Sequence, residues 1–200
     1  VTKFVQRIYN ICLGRRADIG GLNTWTGQLT GKKMTASDVV KCIVTSPEYR
    51  SHNTSDEEYI AMLFSLLRNR EGEEAEIKEI TAETLSKGHT REAVLRKFAL
   101  SDEFSRMCSE LGLERGEIKV GGWSWNDSGF KCYFSPETGL MVTGDQLVTG
   151  IHCYFDNEGS LRTDWSDLKT FVQTSNSLYT YTEMERMLFH FSSSIRHLYS

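Results

Sequence analysis

Ser55-Asp56-Glu57-Glu58-Tyr59-Ile60-Ala61-Met62-Leu63-Phe64-Ser65-Leu66-Leu67 opens with a serine followed three residues later by a glutamate, the reciprocal cap of a helix N-terminus. Tyr59, Ile60, Leu63, Phe64 and Leu67 follow at helical spacing, so the stretch predicts an amphipathic helix with a wide apolar face. Downstream, Ile77 and Ile80 continue the pattern and Gly88 ends it. Thr90 then caps Val94, Leu95, Phe98 and Ala99, and Ser101-Asp102-Glu103-Phe104 starts a further helix. Upstream, Phe4, Val5, Ile8, Cys12 and Leu13 make one stripe. Asp18 caps Leu22, Trp25 and Leu29, with Gly31 closing that helix. Thr35 and Asp38 flank the start of Val39, Val40, Ile43 and Val44. Ser46-Pro47-Glu48 is another start, with proline at the first helical position and an acid in the first turn.

The two sets share one order, about 55 residues apart, so the first half of the chain is a helical repeat in two copies. A unit of about 50 residues has little core of its own, and two stacked units would share one. The expectation is a single all-α domain over residues 1–113. Phe4-Val5, Leu13-Gly14-Arg15, Asp18, Gly21-Leu22, Trp25, Leu29 and Ser46-Pro47-Glu48-Tyr49 resemble the bacterial domain-of-unknown-function family numbered 4214. That family occurs in tandem in surface and secreted proteins and is similar to the phycobilisome linker domain. In the second copy Gly14, Asp18, Gly21 and Trp25 are replaced by Asn69, Glu73, Glu76 and Ile80. Arg15, Arg16, Asp18 and Trp25 admit two readings. In one, Gly14 lets the chain leave a helix, Arg15 pairs with Asp18, Asp18 caps the next helix and Trp25 is core. In the other, Arg15, Arg16 and Trp25 line a small site for a sugar or an anionic partner.

Past Gly112 and Gly116, which bracket Leu113-Glu114-Arg115 at the start of a linker assigned to residues 114–120, the apolar period changes. Gly122-Trp123, Gly129-Phe130-Lys131-Cys132-Tyr133-Phe134, Thr138-Gly139-Leu140-Met141 and Thr143-Gly144 are followed by Gly150-Ile151-His152-Cys153-Tyr154-Phe155-Asp156, Glu158-Gly159-Ser160-Leu161 and Thr163-Asp164-Trp165. Each unit reads as an aromatic strand, a turn with glycine and a second strand. One hairpin is marginal in water, so stacking must supply the burial. Residues 121–165 are similar to the choline- and glucan-binding cell-wall repeats of Gram-positive surface proteins. The resemblance implies a ligand site drawn from Trp123, Trp125, Tyr133, Tyr154 and Trp165, with Asp145 as a counter-ion.

Lys131 and His152 stand where those repeats carry a strand tryptophan. A cation–π contact contributes roughly 0.5–2 kcal/mol. A lysine ammonium about 4 Å from a quaternary ammonium costs on the order of 4 kcal/mol at an effective dielectric near 20. Neutral polysaccharide is therefore the expected ligand ahead of choline. Cys132 and Cys153 occupy equivalent positions on neighbouring hairpins, either as a disulfide or as two buried free thiols.

A segment rich in Ser and Thr and an amphipathic helix opened by Thr182 and Glu185 complete residues 166–200. The expected class is α+β by segregated domains: an all-α helical-repeat domain, a short β-hairpin solenoid and a C-terminal helix. Net charge is −4, with +5 over residues 1–55, −5 over 56–120 and −4 over 121–200, which gives no general argument for nucleic-acid binding. No apolar run approaches the roughly 18 residues of a membrane span. The five cysteines show no metal-ligand spacing, and no nucleophile, phosphate-loop or zinc-protease motif is present. The chain is thus expected to be a non-catalytic piece of a longer protein without a cofactor, secreted or displayed on the surface of a Gram-positive bacterium, its signal peptide lying before Val1. The hairpins would bind cell-wall polymer or glycan, and the helices would be a spacer or contact a protein partner. The alternatives are a targeting region of a larger extracellular enzyme and a protein–protein linker.

Overall fold

The computed structural model describes residues 1–126, 128–148 and 150–162. Trp165 and the expected C-terminal helix lie outside the described residues. The chain is α+β with segregated parts, and its described residues divide into two units: Val1–Val120 with Pro136–Leu140, and Gly121–Ser135 with the described residues from Met141 to Arg162.

In the first unit each copy contributes four helices. Copy 1 holds α1 (Thr2–Leu13), α2 (Ile19–Thr30), α3 (Ala36–Val44) and α4 (Pro47–Ser51). Copy 2 holds α5 (Asp56–Leu67), α6 (Glu74–Glu83), α7 (Arg91–Ala99) and α8 (Asp102–Glu110). The caps read from the sequence are formed. Asp18, Thr35, Ser46, Ser55, Thr90 and Ser101 each accept a backbone N–H from the first turn that follows. Each cap satisfies a donor that would otherwise be orphaned, worth about 1 kcal/mol. The apolar faces meet in one core containing Phe4, Ile8, Val39, Ile43, Tyr59, Phe64, Phe98 and Phe104. Two copies, one core: Phe4 of copy 1 lies 6.4 Å, ring to ring, from Phe104 of copy 2.

The segment read as a linker is held to this unit. The Ala36 and Ser37 N–H groups donate to the Glu114 and Arg115 carbonyls at 2.8 and 2.9 Å, and Ile118 is buried in the core. These bonds satisfy first-turn donors of α3 that the helix itself leaves open. At α7 the Thr90 N–H donates to the Thr138 carbonyl at 2.7 Å. At α3 the Thr35 N–H is already taken by the Asp38 carboxylate. Copy 2 has Ala93 in place of Asp38, which frees the Thr90 donor for the incoming carbonyl.

In the second unit β1 (Gly122–Trp125) pairs antiparallel with β2 (Lys131–Phe134). β3 (Gly144–Val148), β4 (Ile151–Phe155) and β5 (Leu161–Arg162) form a three-stranded antiparallel sheet. This corrects the strand assignment in the first repeat. The aromatic strand pairs with the Gly-Trp segment before it, and the expected second strand shrinks to one bridge, Phe134 to Met141. The reason is that Pro136–Leu140 goes to the helical unit instead of closing a tight turn. In the second repeat the expected return strand does form, as Tyr154 pairs with Arg162 and Phe155 with Leu161. The sheet covers a small core of Val148, Cys153, Phe155 and Leu161, with Trp123 and Tyr133 packed on it.

Candidate functional site

The helical signature is a closed set of internal contacts. α1 ends on Gly14 in the left-handed region, which turns Arg15 back over the Tyr9 ring, 5.1 Å from guanidinium to centroid. Arg15 then makes a two-pronged pair with Glu48 in α4, with Nε to Oε1 at 2.5 Å and Nη2 to Oε2 at 2.8 Å. The expected partner Asp18 stands farther off at 3.6 Å, because its carboxylate is occupied as the cap of α2, accepting from the Gly21 N–H at 2.8 Å. That bond holds the Asp18 carboxyl below the ordinary carboxylate range, and the Arg15 pair does the same for Glu48 while raising Arg15. Trp25 Nε1–H donates to the Tyr9 hydroxyl at 3.1 Å. A side chain at position 21 would place its Cβ 2.5 Å from that same hydroxyl, which explains the glycine. Arg16 is exposed beside this network. Of the four sequence candidates, Arg15, Asp18 and Trp25 are brought together, but by bonding to one another and to Tyr9 and Glu48. The sequence reading missed these last two, since an acid after Ser-Pro reads equally well as a helix-dipole residue.

Copy 2 keeps the physics with different residues. Asn69 takes the left-handed conformation of Gly14, with φ 54°. Arg70, the counterpart of Arg15, lies 4.6 Å over Phe64, the counterpart of Tyr9. Its carboxylate partner becomes Glu76, at 2.7 and 2.9 Å, which stands where copy 1 has Gly21.

In the hairpin unit the register places Trp123 opposite Tyr133 and Trp125 opposite Lys131. Alternation along a strand puts all four on one face of the β1–β2 ribbon. Trp123 is the inner member, 5.2 Å from Tyr133 and 6.0 Å from Phe155. Trp125 is the outer member and 61% exposed. The Lys131 ammonium lies 5.5 Å from the Trp123 centroid and 5.9 Å from that of Trp125. At the ribbon's turn Phe130 is 47% exposed, with the Arg162 guanidinium 5.6 Å over its ring. Asp145 and Tyr154 face each other across β3 and β4. Tyr154 is adjacent in sequence to the fully buried Phe155, so it points to the opposite sheet face, away from the rings of the first ribbon. The structure therefore gathers Trp123, Trp125 and Tyr133, adds Lys131, and leaves Tyr154 and Asp145 on the opposite sheet face.

Cys132 and Cys153 are buried free thiols, so the disulfide alternative falls. Cys153 packs in the small core beside Val148, Phe155 and Leu161, and burial pushes its thiol up to about 11. Cys12 is likewise raised to about 12 and Cys108 to about 11, whereas Cys42 is exposed. Thiolate is the reactive form. A water-soluble alkylating reagent is expected to modify Cys42 in the native protein and all five cysteines after denaturation without reductant, as read by intact mass.

A cleft of 390 Å³ in the helical unit is lined by His89, Arg96, Lys97, Leu100, Glu137 and neighbouring residues. Arg96 is engaged by Glu117 at 2.7 Å, and Glu83 and Glu137 stand among the basic groups, so the cleft carries no single sign of charge. Among the described residues no group of His, Cys, Asp and Glu could hold a metal ion, and no helix is long and apolar enough to cross a membrane.

A family described as a domain of unknown function (DUF4214) matches residues 1–53 and 41–108. The two matched stretches follow the two helical copies. No curated protein and no solved structure matches the chain.

Proposed function

This chain belongs to the domain-of-unknown-function family 4214, and we propose that it is a non-catalytic glycan-attachment region of a secreted or surface-displayed bacterial protein. The helical copies serve as a spacer, and the β1–β2 ribbon carries the contact surface. One observation carries this reading: Trp125, at 61% exposed, stands out on a ribbon whose Trp123 and Tyr133 rings pack against each other. An indole held out on a short, two-stranded support offers a flat apolar face to the C–H face of a sugar, with its N–H available to a hydroxyl.

Lys131 sets the ligand class. Its ammonium holds the position over Trp123 and Trp125 that a cationic ligand would take. The cation–π positions on these two rings are thus already taken by a group of the chain itself, which favours a neutral ligand. Neutral cell-wall polysaccharide fits these residues better than choline. The helical signature supports the same division of labour, since Arg15, Asp18 and Trp25 are engaged with Glu48, Gly21 and Tyr9.

The test is retention of the full chain on purified Gram-positive cell walls and on a panel of neutral glycans, with free choline as competitor. Binding that choline leaves in place, and that Trp125→Ala lowers at least tenfold, is the expected result. Elution by choline, or no retention on any wall or glycan, would overturn the reading.

A further inference from the structure

We infer that the surface joining the two helical copies is a closed twofold interface, whose fitting partner is a second copy of the same repeat, so that two chains can exchange copies. The inference stands apart from the glycan reading and rests on contacts that come in reciprocal pairs. Phe4 of α1 meets Phe104 of α8. Adding 55 to the first and subtracting 55 from the second gives Tyr59 and Tyr49. These two are likewise buried aromatics of the one shared core, at 1% and 4% exposure.

Equivalent helices pack on each other, α1 on α5 and α3 on α7. Both pairs run antiparallel. Arg7 donates to the Ser65 carbonyl, while five residues farther along α1 Cys12 Sγ lies 3.8 Å from Met62 Sδ, three residues back along α5. Lys41 of α3 pairs with Glu92 of α7 at 3.2 Å. One turn earlier on α3, Ser37 Oγ–H reaches the Gly116 carbonyl at 3.5 Å, next to Glu117, which pairs with Arg96 one turn later on α7. A simple translation of one copy onto the next would keep equivalent helices parallel. An isologous pair reverses them, and so does this unit.

The chain outside the copies follows the same symmetry. Gly116, with φ +71°, presses on Thr35 at the cap of α3. Gly139, with φ +74°, presses on Thr90 at the cap of α7. In both places a Cβ would lie 2.0 Å from the threonine Oγ1. Two equivalent cap faces each receive a glycine of the downstream chain.

An interface of this kind accepts its partner from either the same chain or another. Here the partner arrives through the short joint of residues 52–54, where Asn53 sits at φ 49°. Shortening such a joint converts an internal pair into an exchanged one. Deletion of residues 52–54 in the full chain is expected to double the wild-type mass in analytical ultracentrifugation, with wild-type helicity by circular dichroism. An eight-residue Gly/Ser insertion at the same point is expected to keep both wild-type mass and wild-type helicity. A deletion variant with wild-type mass and wild-type helicity would overturn the inference. So would a deletion variant that loses its helices, because exchange restores every contact between copies, or an insertion variant that fails to fold.

Discussion

Phe104→Ala is expected to lower the free energy of unfolding by about 3–5 kcal/mol, as a fully buried phenylalanine does when it leaves a cavity that neighbours cannot fill. Phe104 has no exposed surface and its ring faces Phe4 across the two copies. Both walls of the cavity belong to different helices, α1 and α8, each pinned by other contacts, so collapse is restricted. The effect should fall on the whole helical unit, since Phe4, Phe64, Phe98 and Phe104 belong to one cluster. Urea unfolding followed by circular dichroism at helical wavelengths checks it: a single transition moves to lower urea as a unit. Phe130→Ala is the matched control. Its ring is 47% exposed, and substitutions at such positions stay within about 0.5 kcal/mol. A transition that splits in two would mean that the copies fold separately.

Gly116→Ala is expected to cost roughly 3 kcal/mol or more, from two sources that add. A non-glycine residue in the left-handed region costs about 1–2 kcal/mol. The new Cβ would also lie 2.0 Å from Thr35 Oγ1 and 2.4 Å from Thr35 Cβ, so the segment must lift. Lifting removes the bonds from the Ala36 and Ser37 N–H groups to Glu114 and Arg115, worth about 1 kcal/mol each. It also exposes part of Ile118, which is 1% accessible. Gly129 separates the two sources, because it has φ +77° and nothing within 4 Å of a built Cβ. Gly129→Ala should therefore show the conformational cost alone. Hydrogen exchange at the Ala36 and Ser37 amides gives the direct reading, rising strongly in Gly116→Ala and staying unchanged in Gly129→Ala.

Much of the helical unit was legible because each helix carries its own start signal. Ser55 with Glu58, Ser46 with Pro47, and Thr90 are local features, and no distant part of the chain has to be known to read them. The Arg15–Glu48 pair was not legible. It joins residues 33 apart, and Asp18 stood closer in sequence as a plausible partner. Copy 2 looked degenerate for a similar reason. A letter-by-letter comparison sees Gly14 become Asn69 and Gly21 become Glu76, whereas the chain preserves a left-handed residue and an arginine stacked on an aromatic ring with a carboxylate beside it. Asparagine tolerates that conformation better than most residues.

In the hairpin unit, strand alternation predicted aromatic strands and stacked rings, and Trp123 does lie against Phe155. Pairing order was beyond its reach. Nothing local in Thr138-Gly139 distinguishes a hairpin turn from a segment that docks on Thr90, because the deciding contact is with a helix about 50 residues earlier. The same ambiguity covers Cys132 and Cys153, whose equivalence in the repeat does not determine whether they face each other.

The family signature thus reads as a brace, and the proposed contact surface sits elsewhere, on the outer end of the β1–β2 ribbon. The most direct measurement compares the full chain, Trp125→Ala and Arg16→Ala side by side for retention on purified cell walls, each first shown to unfold at the same urea concentration. The account predicts that Arg16→Ala binds as the parent does and Trp125→Ala is lost from the wall. Retention of Trp125→Ala together with loss of Arg16→Ala would contradict it and move the binding surface to the helical signature.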